Sequence, residues 1–225
     1  AAERIRALGF FSDAQVNAEQ GSESDQVVVN VDVEEQPTGS LSFGLSYSVA
    51  SGVGFNIGFS ESNFLGRGQK LALSISTASA NQNSSFSFTE PALLGRDLSF
   101  NVGGFYRTSE SDYSVYDTRS IGFSTGIGFP LGEQSSMSLR FGLAEDKIYN
   151  YTPSSGTGSP ILVAEADRGA LTTFSLGYAY EYDNRITGLN PKGGVLLRFG
   201  QDFAGLGGDT EYIKTTALAL AETKV

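Results

Sequence analysis

The fold is decided by residues 40–49, which read Ser40-Leu41-Ser42-Phe43-Gly44-Leu45-Ser46-Tyr47-Ser48-Val49. The odd positions carry large apolar side chains, and the even positions carry only Ser or Gly. The same alternation returns in residues 53–59 and in residues 71–75. Because successive side chains of a β-strand point to opposite faces, this period predicts strands with one apolar face and one small, polar face.

The alternation continues to the end of the chain and predicts about ten strands after residue 37. They lie roughly at residues 40–49, 52–62, 69–79, 84–90, 97–108, 120–130, 136–148, 170–183, 194–203 and 211–222. Most are longer than the roughly five or six residues of strands in soluble sheets, and a tilted strand needs roughly 9–11 residues to cross a bilayer.

The polar faces carry mainly Ser, Gly, Asn and Thr, whereas soluble sheets usually place Lys and Glu on their outer faces. The predicted fold class is therefore an all-β transmembrane antiparallel β-barrel, present in part. A soluble β-sandwich that binds a ligand is the alternative fold. Residues 205–209 resemble a phosphate loop but lack its Lys and following helix, so we expect a hairpin loop there.

The composition excludes several classes of function. The chain contains no Cys and no His, which removes disulfides, thiol chemistry, His-based acid–base catalysis and the usual zinc sites. Its formal charge of −10 argues against nucleic acid as a partner. No apolar run is long enough for a membrane helix. We expect no enzymatic activity and no cofactor.

Residues 1–37 differ from the rest of the chain in charge. They hold Glu3, Asp13, Glu19, Glu23, Asp25, Asp32, Glu34 and Glu35, against Arg4 and Arg6. Their pattern predicts the end of a helix followed by strands at residues 14–20 and 26–34. A composition shift at residues 36–39 predicts two domains, residues 1–37 and 38–225, because Pro37 cannot donate to a ladder and Gly39 permits a turn.

A series of motifs, in matching order and spacing, resembles the BamA family of outer-membrane β-barrel assembly factors. Residues 31–48 are similar to the passage from that family's last POTRA domain, a small α/β module, into its first barrel strand. The other motifs are Asn63-Phe64-Leu65-Gly66-Arg67-Gly68, Thr89-Glu90-Pro91, Gly128-Phe129-Pro130-Leu131, Tyr182-Asp183-Asn184-Arg185 and Pro191-Lys192-Gly193-Gly194. The family's full barrel has more strands, so the resemblance implies a fragment: the C-terminal part of a POTRA domain and the N-terminal part of a barrel.

The resemblance also implies a function and a location. The parent protein is expected in the outer membrane, with its POTRA part in the periplasm, where it folds and inserts other barrel proteins. The implied partners are unfolded outer-membrane protein substrates, periplasmic chaperones, accessory lipoproteins, lipid and lipopolysaccharide. A passive pore or a two-partner secretion transporter shares the same POTRA-plus-barrel plan and remains an alternative.

Two candidate sites follow. The resemblance implies that Ser40 to Val49 form a lateral gate, a strand edge that pairs with a strand of the substrate; an ordinary strand paired on both sides is the alternative. Asp183 and Arg185, with Pro191 and Gly193, lie in two of the motifs that carry the resemblance and form a turn at the end of the eighth predicted strand; from the residues alone they predict an ion pair and a rigid turn.

Overall fold

The structure, a computed structural model, describes residues 2–23, 25–49, 52–110, 114–152, 159–185 and 193–223. Its helices are α1 (Ala2–Arg6) and α2 (Pro160–Arg168). Its strands are β1 (Phe11–Gln20), β2 (Val27–Glu35), β3 (Gly39–Ser48), β4 (Gly52–Phe64), β5 (Gln69–Ala78), β6 (Asn81–Glu90), β7 (Ser99–Ser109), β8 (Asp117–Gly132), β9 (Ser135–Tyr149), β10 (Ala170–Asp183), β11 (Gly194–Gly208) and β12 (Tyr212–Glu222). In the part of the chain that is described, neither helix is long and apolar enough to cross a membrane.

The strands form two antiparallel sheets. β1 pairs with β2, and β3 to β12 form one ten-stranded sheet in which each strand pairs with the next along the chain. We call the end of this sheet where β3 begins the near end, and the end where β3 stops the far end. One continuous sheet confirms the predicted all-β class and replaces the alternative of two sheets packed face to face.

The registers keep the two faces of the sheet separate over many strands. One unbroken row on the apolar face runs through Leu41, Phe59, Leu73, Phe86, Gly104, Phe123, Leu143 and Phe174. A row on the polar face runs through Gly44, Asn56, Ser76, Asn83 and Arg107. Because a slip of one residue exchanges the faces, the alternation itself fixes these registers.

The apolar face is covered by nothing in the described chain. Among the described residues, Ala14 and Leu196 are the only buried hydrophobic side chains, while Phe43, Phe55, Phe86 and Phe123 are all exposed. Exposed apolar surface on this scale marks a contact with lipid or with another protein. An apolar outer face and a small, polar inner face are the arrangement of a membrane barrel.

Two sequence-based expectations about strand ends are wrong. β11 continues beyond residue 203 to Gly208, because Gly208 pairs with Thr173 of β10 after a register shift between Thr173 and Ser175. The hairpin loop predicted at residues 205–209 is present on the β12 side, since the pairing of β11 with β12 ends at Ala204 opposite Tyr212. Gly205, Gly207 and Gly208 all have positive φ, so the segment forms an irregular strand end. Its glycine-rich composition predicts a loop and gives no sign of the pairing with β10. β6 also begins at Asn81 rather than at residue 84, because Asn81 pairs with Ala78 across a tight turn.

The N-terminal unit consists of α1 and the β1–β2 hairpin. Arg6 forms an ion pair with Asp13 at 3.0 Å and donates to the Ala14 carbonyl at 2.8 Å, which joins the helix to β1. Hydrogen bonds from the Gln15 side chain and the Ala14 N–H, together with Arg6, lower the pKa of Asp13. The predicted helix end and two strands are present; the POTRA assignment and the domain boundary at residue 37 stay predictions.

The N-terminal unit contacts the near end of the large sheet through Phe10. A β-carbon placed on Gly68, in the β4–β5 turn, would lie 3.6 Å from the Phe10 ring and 3.8 Å from Pro91 in the next near-end turn. Gly68 has φ of +66°, a conformation that favours glycine. The Phe10 ring therefore lies beside the β4–β5 turn at the near end of the sheet.

Candidate functional site

Strand β3 forms one edge of the ten-stranded sheet. It pairs with β4 and, among the described residues, with no other strand. Its apolar side chains are much more exposed than those of the central strands, with Leu45 at 87% and Tyr47 at 76%. The structure places Ser40 to Ser48 of the predicted gate in this strand, whereas Val49 lies in the turn that follows.

The backbone groups of β3 divide into two sets. The Ser62 N–H donates to the Thr38 carbonyl at 3.2 Å, and the register continues unshifted to Ser48 opposite Gly52. Because hydrogen-bonded and non-hydrogen-bonded pairs alternate in an antiparallel ladder, the even-numbered residues of β3 bond to β4. The odd-numbered residues direct their N–H and C=O groups to the open edge; these are Leu41, Phe43, Leu45 and Tyr47.

Glu61 of β4 anchors the start of β3. The Thr38 hydroxyl donates to a Glu61 carboxylate oxygen, and the same oxygen accepts the Asn63 N–H at 2.9 Å. The Ser62 hydroxyl donates to the Thr38 carbonyl at 3.2 Å. A β-carbon on Gly39 would lie 2.5 Å from the second Glu61 oxygen, so any larger residue there would displace the carboxylate. The near end of the edge strand is thus held by side chains as well as by its ladder.

The turn motif lies at the other side of the sheet. The Arg185 guanidinium donates to both Asp183 oxygens at 2.9 Å and to Glu222, the last residue of β12, at 2.9 Å. Its side chain is only 16% exposed, and the hydrogen bonds to Asp183 raise its pKa. A β-carbon on Gly193 would lie 2.5 Å from the Glu222 carbonyl oxygen. Pro191 lies outside the described residues.

The predicted ion pair between Asp183 and Arg185 is therefore present, and it extends to a third strand. The sequence pattern does not single out Glu222, because it lies 37 positions after Arg185 and no local pattern indicates the contact. The structure does not bring the two candidate sites together, since β3 is one edge of the sheet and the motif ties β10 and β12 at the opposite edge.

These features define a class: a transmembrane antiparallel β-barrel, of which this chain forms ten consecutive strands. The Omp85 superfamily domain matches residues 63–222. The chain belongs to the Omp85 superfamily.

Solved structures share the fold. The crystal structure of BamA from Haemophilus ducreyi lacking POTRA domains 1-3 has a TM-score of 0.66 at 24% identity, covering 95% of this chain and 43% of that one. CdiB from Acinetobacter baumannii has a TM-score of 0.54 at 11% identity, covering 96% of this chain and 41% of that one. The barrel fold predicted from the alternation is confirmed by these similarities.

Curated relatives confirm the resemblance to BamA. The outer membrane protein assembly factor BamA of Neorickettsia risticii is 28% identical over 221 residues, covering 94% of this chain and 28% of that protein. Sorting and assembly machinery component 50 homolog B of Xenopus laevis is 24% identical over 220 residues, covering 95% of this chain and 45% of that protein. The chain therefore spans less than half the length of these relatives.

Proposed function

We propose that the protein to which this chain belongs folds β-barrel proteins and inserts them into the bacterial outer membrane, using the open edge of β3 as a lateral gate. The BamA relatives are named outer membrane protein assembly factors, which supports the general role. The observation that supports the gate is the backbone arrangement of β3: its odd-numbered residues direct their N–H and C=O groups away from β4, and no other strand of the described chain pairs with them. β12, the last described strand, forms the other edge of the same sheet.

Strand addition explains how such an edge assists many substrates. An incoming strand forms main-chain hydrogen bonds with Leu41, Phe43, Leu45 and Tyr47 and needs no particular sequence to do so. In a bilayer, an unpaired strand has no water to satisfy its backbone groups, so a template strand lowers the cost of entering lipid. The hydrogen bond from the Thr38 hydroxyl to Glu61 holds the start of the template strand in place while its outer edge pairs.

The proposal includes a location and partners. The apolar face contacts lipid, including lipopolysaccharide, and the N-terminal unit lies on the periplasmic side with the near end. The substrates are unfolded outer-membrane proteins, delivered by periplasmic chaperones, and accessory lipoproteins complete the complex. The formal charge of −10 opposes a nucleic-acid partner. We propose no enzymatic chemistry and no cofactor, since strand templating requires neither.

The test is reconstitution of the full-length protein in liposomes with an unfolded β-barrel protein as its substrate, which we call the client. We expect the client to reach its folded, heat-modifiable form faster than in empty liposomes. A client with a single cysteine in its pairing strand should also form a disulfide with a cysteine placed at Ser42 or Ser46. Ion conductance by the protein without any acceleration of client folding would instead identify a passive pore or a secretion transporter.

A further inference from the structure

The side chain of Asn56, on β4, lies over Gly44 of the edge strand. A β-carbon on Gly44 would be 2.2 Å from the Asn56 Oδ1 and 3.0 Å from its Nδ2, so glycine at this position lets the amide lie over β3 without being displaced. Asn56 is exposed, and its amide has no hydrogen-bond partner among the described residues. Gly44 pairs directly with Asn56, which places the amide on the polar face, pointing across β3.

Elsewhere in the sheet, a glycine with a paired strand on each side lets two polar side chains meet above it. Arg140 on β9 and Asp202 on β11 both pair with Gly177, on the strand between them. The two side chains meet over the glycine, with a 2.7 Å contact between Arg140 Nη2 and Asp202 Oδ1. A β-carbon on Gly177 would lie 2.0 Å from that oxygen. We call this arrangement a glycine bridge.

Asn56 and Gly44 form two of the three parts of a glycine bridge, and the third part belongs on the open edge of β3. We infer that Asn56 hydrogen-bonds across Gly44 to a polar side chain of the incoming client strand, at the residue that faces Gly44. This inference rests on the proposed function. It gives an otherwise sequence-neutral edge one position at which the client's side chain matters.

The ladder geometry determines the length of the side chain that fits. Gly44 is in a hydrogen-bonded pair with Asn56, so a new strand on the other side meets Gly44 in a non-hydrogen-bonded pair. The Cα atoms of these pairs are about 5.5 and about 4.5 Å apart, so Asn56 and the client residue are separated by about 10 Å. Arg140 and Asp202 span such a gap as one long and one short side chain. Because Asn56 is short, we expect a long hydrogen-bonding residue in the client: Arg, Lys, Gln or Glu.

The experiment uses the full-length protein in liposomes and a barrel client whose pairing register is first established. Cysteines at Ser42 and Ser46, which flank Gly44 on the polar face, identify by disulfide formation which client residue faces Gly44. That residue is then made Gln or Ala in the client, and Asn56 is made Leu in the protein. Leu keeps the bulk over Gly44 and removes the hydrogen bond.

We expect N56L to slow insertion of the Gln client about three- to tenfold, the usual effect of one net hydrogen bond, and to leave the Ala client unchanged. N56Q, which keeps the amide, should restore most of the rate. The matched control is N81L, because Asn81 also lies on the polar face, has no side-chain partner among the described residues, and is on β6 away from the edge. N81L should insert both clients at the unmodified rate.

Equal slowing of the Gln and Ala clients by N56L, or no slowing of either, overturns the role of Asn56 while the cysteine cross-links still support the gate. An absence of any cross-link at Ser42 and Ser46 overturns the β3 gate of the proposed function, and an absence of any acceleration of client folding overturns the assembly role. Slowing of the Gln client alone, reversed by N56Q, supports the glycine bridge.

Discussion

At the scale of single residues, glycine on the polar face makes room for side chains from neighbouring strands. Gly44, Gly122 and Gly177 each lie under a side chain that an added β-carbon would meet, namely Asn56, Phe105 and Asp202. The sequence places these glycines on the polar face by their spacing alone. It does not reveal the contacts, because Arg140 and Asp202 are 62 residues apart and meet only through the registers of three strands.

The first prediction concerns Gly177. Changing Gly177→Ala places a β-carbon 2.0 Å from the Asp202 carboxylate and 2.9 Å from the Gln201 carbonyl oxygen, so the ion pair with Arg140 must move. We expect a loss of about 1–3 kcal/mol in the free energy of unfolding of the full-length barrel, the usual cost of overpacking. Urea titration in detergent micelles measures it.

A second variant checks the cause of that loss. In a D202A background the closest clash is absent, so the additional cost of Gly177→Ala should fall clearly below its cost in the unmodified protein. Equal costs in the two backgrounds would show that the glycine is required for its backbone and not for the bridge.

At the scale of elements, the strands follow from the sequence and the connections do not. Alternation predicts all ten strands of the sheet, because each exposes one face to lipid and the other to a polar interior. Helix α2 was not predicted, since Ser159 and Pro160 begin it within a connection whose composition is typical of a loop. The extension of β11 to Gly208 depends on a register shift that strand periodicity does not encode.

Arg185 provides the prediction at this scale. Arg185→Lys keeps the charge but cannot donate to both Asp183 oxygens and to Glu222 at once. We expect several-fold faster hydrogen exchange at the start of β11 and at the end of β12. The start of β11 is affected because the side chain of Asn184, next to Arg185, accepts the Val195 N–H at 2.6 Å. Hydrogen-exchange mass spectrometry of the full-length protein measures this.

The control is Arg168→Lys, because Arg168 forms an exposed pair with Glu165 in α2 at the far end of the sheet. It should leave exchange at the near end unchanged. If the two variants behave alike, Arg185 does not tie the three strands together.

At the scale of the whole molecule, strand order follows from sequence because consecutive strands become antiparallel neighbours throughout the large sheet, even across the longer connection that contains α2. The choice between lipid and a protein core also follows, from uncharged polar faces opposite apolar ones. The position of the Phe10 ring beside Gly68 could not be predicted, because it brings together two sheets whose relative placement is not encoded in any local sequence pattern.

The central claim is that the odd-numbered residues of β3 pair with a client strand. Leu45→Pro removes an N–H that faces the open edge, whereas Ser46→Pro removes one that bonds to β4 opposite Gly54. An edge strand tolerates proline only on its free side, so the two neighbouring changes separate client pairing from folding. Leu45→Ala controls for the loss of the side chain, and Tyr47→Pro repeats the first change.

The most direct measurement is therefore the rate of client insertion by these variants of the full-length protein in liposomes. The account predicts that Leu45→Pro and Tyr47→Pro stay folded, as judged by heat-modifiable migration, but insert client at least about tenfold more slowly, because the free edge has lost a donor. Ser46→Pro should instead destabilise the barrel itself. Insertion by folded Leu45→Pro at the rate of Leu45→Ala would contradict the claim that β3 is the pairing edge.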